Sequence, residues 1–210
     1  MKKEKIYGYD YDTKQEQYIS NESESKFIKT IYDLFGTYNL VYTEIDKLLF
    51  GEGTIIDVIA ERIISIYNDI SFYDKDYKIP INDDELENNL LDEKNIQEKT
   101  INPLLKTKKQ ISKFDSIIQE RILKKIDDTI TLIGNKNEII NKYGNFQEFK
   151  CLKNNDDKKS YFTKLNISNN KNYSGKHSPI INEVIFKKCQ EVIAKKCSDK
   201  TDEKDFDIKL

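Results

Sequence analysis

Between Pro103 and Gly134 the chain places Ile111, Phe114, Ile118, Ile122, Ile126 and Ile133 at near-heptad spacing, with Lys108, Lys109, Lys113, Arg121, Lys124 and Lys125 off that stripe. An apolar stripe of this period marks one face of a helix, and that face must be covered by another element to be stable in water. The spacing predicts one long helix over 104–133, ended by Gly134-Asn135, and a shorter helix from Asn137 to Tyr143 that stops at Gly144.

Before it, Tyr7, Tyr9 and Tyr11 alternate, turn through Asp12-Thr13-Lys14-Gln15 and resume at Tyr18-Ile19, the pattern of a hairpin. Ser20 and Asn21 cap a helix over about 22–35, in which Phe27, Ile28, Ile31, Leu34 and Phe35 form a stripe and which Gly36 ends. Residues 37–50 read as a loop followed by a short amphipathic helix, with the boundary left open. After Gly51-Glu52-Gly53, Thr54 and Asp57 form a cap for a helix carrying Ile55, Ile56, Ile59, Ala60, Ile63 and Ile64. Those two helices suggest a helix-turn-helix-like pair with a connection longer than the tight motif. Residues 69–102 are acidic with few apolar anchors and read as a solvated linker with one weak helix. Strand-like 146–152 and 161–167 flank a turn-forming 153–158 and predict a second hairpin. Asn182 caps a last helix with Val184, Ile185, Cys189, Val192 and Ile193 on one side and Lys187, Lys188, Lys195 and Lys196 elsewhere. The expected fold class is α+β, predominantly helical with two small β-hairpins. In it 1–68 and 145–197 form one domain, 69–102 a linker, 103–144 a long helical segment and 198–210 a charged, frayed tail.

The formal net charge of −2 conceals an asymmetry. Residues 31–100 carry 6 Lys and Arg against 16 Asp and Glu, whereas 101–198 carry 20 against 10. A local excess of that size suits a phosphate backbone. Residues 1–20 contain no apolar run of a signal peptide, and no window reaches the roughly 18 apolar residues of a membrane span, so the expectation is a cytoplasmic protein with no membrane partner. Cys151, Cys189 and Cys197 form an odd set without a C-x-x-C pair, which disfavours a disulfide framework or a zinc ribbon. Cys189 and Cys197 would stand roughly 12 Å apart along one helix.

Catalytic chemistry finds little footing. The one histidine, His177, lies between Lys176 and Ser178 before Pro179, a setting for structure or phosphate contact more than for a general base. The acidic stretch 83–93 lacks the Gly and terminal Glu of a calcium loop, and Gly51 and Gly53 lack the spacing and lysine of a phosphate-cradling loop. No cofactor or metal is implied. Tyr7, Tyr9 and Tyr11 offer base stacking or cross-strand packing, the latter being the plainer reading.

Three segments occur in an order that resembles a known domain: Tyr7-Gly8-Tyr9-Asp10-Tyr11-Asp12 with Asn21-Glu22-Ser23-Glu24 and Ile31-Tyr32-Asp33-Leu34-Phe35; then Gly53-Thr54-Ile55-Ile56-Asp57-Val58-Ile59-Ala60; then Tyr173 to Ile181 with Phe186 and Gln190. They are similar to the recombinase, DNA-binding domain of large serine recombinases. The catalytic serine domain and the zinc ribbon of that family have no counterpart here. The resemblance implies a recombinase-domain-like fold and non-catalytic binding of double-stranded DNA in a phage or other mobile element, beside a separate catalytic subunit. The expected phosphate contacts are Lys108, Lys109, Lys113, Arg121, Lys124, Lys125, Lys176, His177, Lys187 and Lys188, although lysines beside a helical stripe equally describe a solvated face. The competing class is a helical interaction module in which 104–133 pairs with itself or a partner through its isoleucines, giving a homo-oligomer indifferent to DNA.

Overall fold

The computed structural model describes residues 6–81, 83–144, 146 and 178–203. In chain order they form β1 (Tyr9–Asp12), β2 (Gln17–Ser20), α1 (Glu22–Gly36), α2 (Tyr42–Phe50), α3 (Ile55–Tyr73), α4 (Asp83–Leu91) and α5 (Glu93–Asn95). A π-helical turn (Ile96–Ile101), α6 (Asn102–Gln110), a 3-10 turn (Ile111–Lys113), α7 (Ser116–Tyr143) and α8 (Glu183–Glu203) follow. The chain divides into two compact units, Met1–Phe50 with Gln147–Leu210, and Gly51–Phe146. Among the described residues the protein is predominantly helical with one two-stranded antiparallel sheet. The second predicted hairpin, 146–152 with 161–167, lies outside the described residues apart from Phe146.

In the first unit the tyrosine alternation is a hairpin. Tyr11 faces Tyr18 across β1 and β2, with their rings edge to face at 5.2 Å. Asp12 Oδ1 accepts from the amides of Lys14 and Gln15, and Glu16 takes the left-handed conformation at φ 51°, which together close the turn. Asn21 caps α1 by accepting from the Glu24 amide at 3.0 Å and donates through Nδ2 to Asp10 at 2.8 Å. Glu24 reaches back to accept from the Gly8 amide at 2.7 Å, so one cap ties the hairpin to the helix. Phe27, Leu34, Leu40, Ile45, Leu48 and Leu49 are fully buried, and Phe27 meets Phe50 at 5.6 Å. Residues 42–50, left open by the sequence, are helical because Ile45, Leu48 and Leu49 share one buried face.

The segments that open and close the resemblance meet here. Tyr9 donates its hydroxyl to the Ser178 carbonyl at 2.8 Å, across 169 positions of sequence. Gly8, at φ 92°, lies under the side chains of Ile28 and Ile180, where a Cβ would collide. α1 packs on α8 with Gly36 against Cys189, whose Sγ donates to the Tyr32 carbonyl at 3.3 Å. A Cβ at Gly36 would stand 2.6 Å from that sulfur.

The second unit is built on α3 and α7, which run antiparallel. The predicted Thr54–Asp57 capping box starts α3, and Ile59, Ile63, Ile66, Tyr67 and Ile70 bury its face. The sequence grouped 1–68 together, whereas the structure divides the chain after Phe50, because the face of α3 is matched by α7. The predicted single helix 104–133 is broken. α6 ends at Gln110, Phe114 is extended, and Asp115 caps a new helix by accepting from the Ile117 amide at 3.0 Å. Two short polar side chains, Asp115 and Ser116, win locally over a stripe that continues on both sides. Gly134-Asn135 fails to stop α7, which absorbs the separate helix expected at 137–143, since buried Lys136 and Ile139 secure the next turns. The acidic stretch 69–102 is largely helical rather than a linker. Its few anchors, Leu86 and Leu90, are completely buried, and α4 packs on α3. The hydroxyls of Tyr77 and Thr107 share a hydrogen bond of 3.0 Å, tying the segment after α3 to α6. The charged tail expected from 198 is helical as far as Glu203.

Two glycines separate packing from propensity. Gly36→Ala forces α8 away from α1 and should lower the unfolding free energy in urea by about 1–3 kcal/mol, although alanine is the better helix former. Gly134, exposed and with open space around its Cβ position, should gain about 0.5–1 kcal/mol as Gly134→Ala. Burial raises the Tyr67 phenol well above its ordinary value, with nearby Tyr77 adding to the shift. A raised folded value makes this contribution complete below about pH 10 and lost as pH rises further. Stability measured above pH 10 should fall less steeply in Tyr67→Phe than in the parent.

Candidate nucleic-acid interface

The lysines expected to meet phosphate sit mainly on α6 and α7, and the antiparallel packing decides what they face. α3 carries Asp69 and Tyr73, and Asp74 follows as its C-cap, along the edge nearest the start of α7. Lys125 pairs with Asp69 at 2.6 Å, and Lys113 pairs with Asp74 at 2.5 Å. Arg121 donates to the Tyr73 hydroxyl at 3.1 Å and lies 5.9 Å from that ring. Lys108 pairs with Asp127 of α7 itself. Lys108, Lys113, Arg121 and Lys125 are thus already engaged with the protein's own acids or ring.

Lys109 and Lys124 are exposed, and Lys109 has no ion pair among the described residues. Lys124 borders an open depression of about 500 Å³ on α7 that also carries Glu120, Asp127 and Asp128. Three carboxylates against one ammonium make that depression unfavourable for a phosphate. On α8, Lys187 pairs with Glu183 one turn away at 2.7 Å and Lys188 is exposed. Lys176 and His177 lie outside the described residues.

Exposed ion pairs of this kind contribute about 0–1 kcal/mol each, so they orient lysines more than they hold helices together. The Lys113 ammonium, by donating to Asp74, holds that carboxyl below the usual carboxylate value; desolvation opposes the shift, and the Asp76 amide adds to it. Cys189 has its thiol pushed up by burial and by Asp33 beside it, which keeps it protonated and unreactive at neutral pH. Among the described residues no cluster of His, Cys, Asp or Glu could hold a metal ion, and no helix is long and apolar enough to cross a membrane.

The sequence missed Lys136. It is buried to 5 % exposure, and its Nζ donates to the Leu90 carbonyl at the end of α4 at 2.7 Å. Asn137 Nδ2 donates to Glu93 at 2.6 Å just beyond. Position 136 continues the buried series Ile122, Ile126, Thr129 and Ile133 at helical spacing, and a lysine in that register was the signal for a buried contact. An ammonium at a helix C-terminus meets both an unpaired carbonyl and the negative end of the helix dipole.

The chain matches no protein-family model, no curated protein and no solved structure.

Lys136→Met keeps the stem and removes the donor, leaving the Leu90 carbonyl buried and unpaired. It should cost about 1–3 kcal/mol in urea unfolding. Hydrogen exchange at α4 should accelerate more than at α3. On the acid side, the Asp74 contribution is present above its unfolded value and lost as pH falls through the lowered folded one. Asp74→Asn should therefore flatten the low-pH limb of the stability profile.

Proposed function

We propose that this chain is a non-catalytic DNA-binding protein of the kind its terminal segments resemble. The observation that supports the reading is the assembly of the first unit. The hairpin and α1 that carry the opening motifs are joined to the start of α8 by the Tyr9–Ser178 hydrogen bond and by the Gly36–Cys189 contact, although about 150 residues lie between them. The first and last of the three matched segments are thereby neighbours in one unit, while the middle one, Gly53 to Ala60, belongs to the other. The partner is double-stranded DNA, contacted through phosphates. Arginine, the residue best suited to paired hydrogen bonds with base edges, is represented only by Arg62 and Arg121, and so the binding is sequence-tolerant.

The ion pairs of α7 shift the expected contacts. Lys109 and Lys188 are exposed members of the predicted set with no ion pair among the described residues, while Lys108, Lys113, Arg121, Lys125 and Lys187 face protein groups and Lys124 borders the acidic depression. Anisotropy of a labelled random duplex, titrated with the full chain at two salt concentrations, should show binding that weakens steeply with salt. The slope of log K against log salt should fall by roughly 0.9 for each phosphate contact removed in Lys109→Gln and Lys188→Gln. No binding at low salt would remove the reading. Binding with an unchanged slope in both variants would move the interface elsewhere.

A further inference from the structure

The end of α3 and the start of α7 meet in opposite order along the chain, Lys113 with Asp74, Arg121 with Tyr73 and Lys125 with Asp69. Within the two ion pairs the members are not equally placed. The Asp74 side chain is 16 % exposed and its Lys113 partner 58 %, while Asp69 is 28 % exposed and Lys125 42 %. The carboxylates are the inner members and the ammonium groups the outer ones. Lys108 and Asp127 pair the other way round, with the lysine at 27 % and the acid at 61 %. An anion arriving from solvent therefore meets ammonium first at Lys113 and Lys125, and carboxylate first at Lys108.

We propose that Asp69 and Asp74 are an internal screen on the DNA-binding surface, occupying Lys125 and Lys113 in place of phosphate and so limiting how tightly the chain holds a duplex. The inference rests on the DNA reading and adds the regulation of that same surface. The mechanism is a competition between two anions for one cation. A carboxylate 2.5–2.6 Å from an ammonium cancels most of the charge felt from further away, and it repels a phosphate that approaches the same lysine. A lysine neutralised in this way takes the place of no counterion on DNA, so in the parent these two add nothing to the salt dependence. Holding the helices together does not account for the acids, because pairs open to water contribute little and the buried isoleucines of α3 and α7 already set the alignment. Removing the two negative charges returns two full cations to solvent on either side of Arg121, whose own partner is the neutral Tyr73 ring and hydroxyl.

The test is duplex anisotropy with the full chain as parent, as D69N/D74N and as E85Q/E87Q. Asparagine keeps the shape of the side chain and the Oδ1 acceptor that the Asp76 amide uses at position 74. Glu85 and Glu87 are exposed acids on α4 of the same unit, so the second variant makes the same change in net charge away from the lysines. D69N/D74N should keep the parental circular dichroism, bind more tightly at low salt and steepen the slope by roughly 1.8, two contacts' worth. Between about 50 and 200 mM salt it should lose roughly tenfold more affinity than the parent. Adding K113Q/K125Q to it should restore the parental slope, and E85Q/E87Q should keep that slope throughout. Parental affinity and slope in D69N/D74N overturn the proposal and leave the DNA reading standing. An equal gain in E85Q/E87Q also overturns it, since net charge alone would then be responsible. No binding at low salt by either the parent or D69N/D74N removes the DNA reading and the screen together.

Discussion

The register of α7 on α3 fixes most of what the second unit can present to its surroundings. Ile122, Ile126 and Ile133 of α7, and Ile59, Ile63, Ile66 and Ile70 of α3, are buried where the helices pack. A fully buried isoleucine contributes about 1.5–3 kcal/mol, several times an exposed ion pair, so the apolar faces set the alignment and the charges accept it. In that alignment Lys125 meets Asp69, Arg121 meets Tyr73 and Lys113 meets Asp74. A segment that looks strongly basic when counted along the chain is therefore much closer to neutral where it meets α3.

The same alignment explains how so acidic a stretch as 83–95 is held. Its apolar contribution amounts to Leu86 and Leu90, too little for a helix to stand alone in water. Lys136, buried on α7, supplies a donor to the carbonyl end of α4, and Asn137 bonds Glu93 one residue further on. Burying an ammonium is costly unless its protons find acceptors. Here the acceptor is a carbonyl that would itself be unpaired, so each group removes the other's penalty.

The elements with strong local signals were legible from the residues. Asn21, Thr54 and Asn182 each cap the helix that follows, as their side chains and positions indicated. The hairpin at Tyr9–Ser20 forms as the alternation implied, with Tyr11 packed on Tyr18. What failed were judgements in which two local preferences compete. Gly134 looked like a terminator and is passed over because packing beyond it outweighs about 1 kcal/mol of propensity. Asp115 lies within the stretch predicted as one unbroken helix and is instead a cap. The lysines of α6 and α7 were legible as lying off the apolar stripe, but not as paired. Their partners on α3 lie roughly 40 to 55 residues earlier, and nothing local couples a lysine to an aspartate at that separation. Lys136 was readable in principle, since it occupies the apolar register, but charge alone argued for solvent.

The first unit is discontinuous along the chain, with residues 51–146 lying between its two parts. During synthesis this imposes a delay. The face of α1 that α8 covers emerges long before α8 exists, and at about 5–20 residues per second the interval is on the order of ten seconds. The intervening unit is continuous in sequence and has its whole core available at once, so it closes first and shortens the effective loop that the two ends must bridge. Until then Gly8, Gly36 and the apolar side chains of α1 are an open surface, the kind that holding chaperones bind. Yield in a cell would on this account be limited by how long the amino-terminal half remains uncovered rather than by the stability of the finished fold.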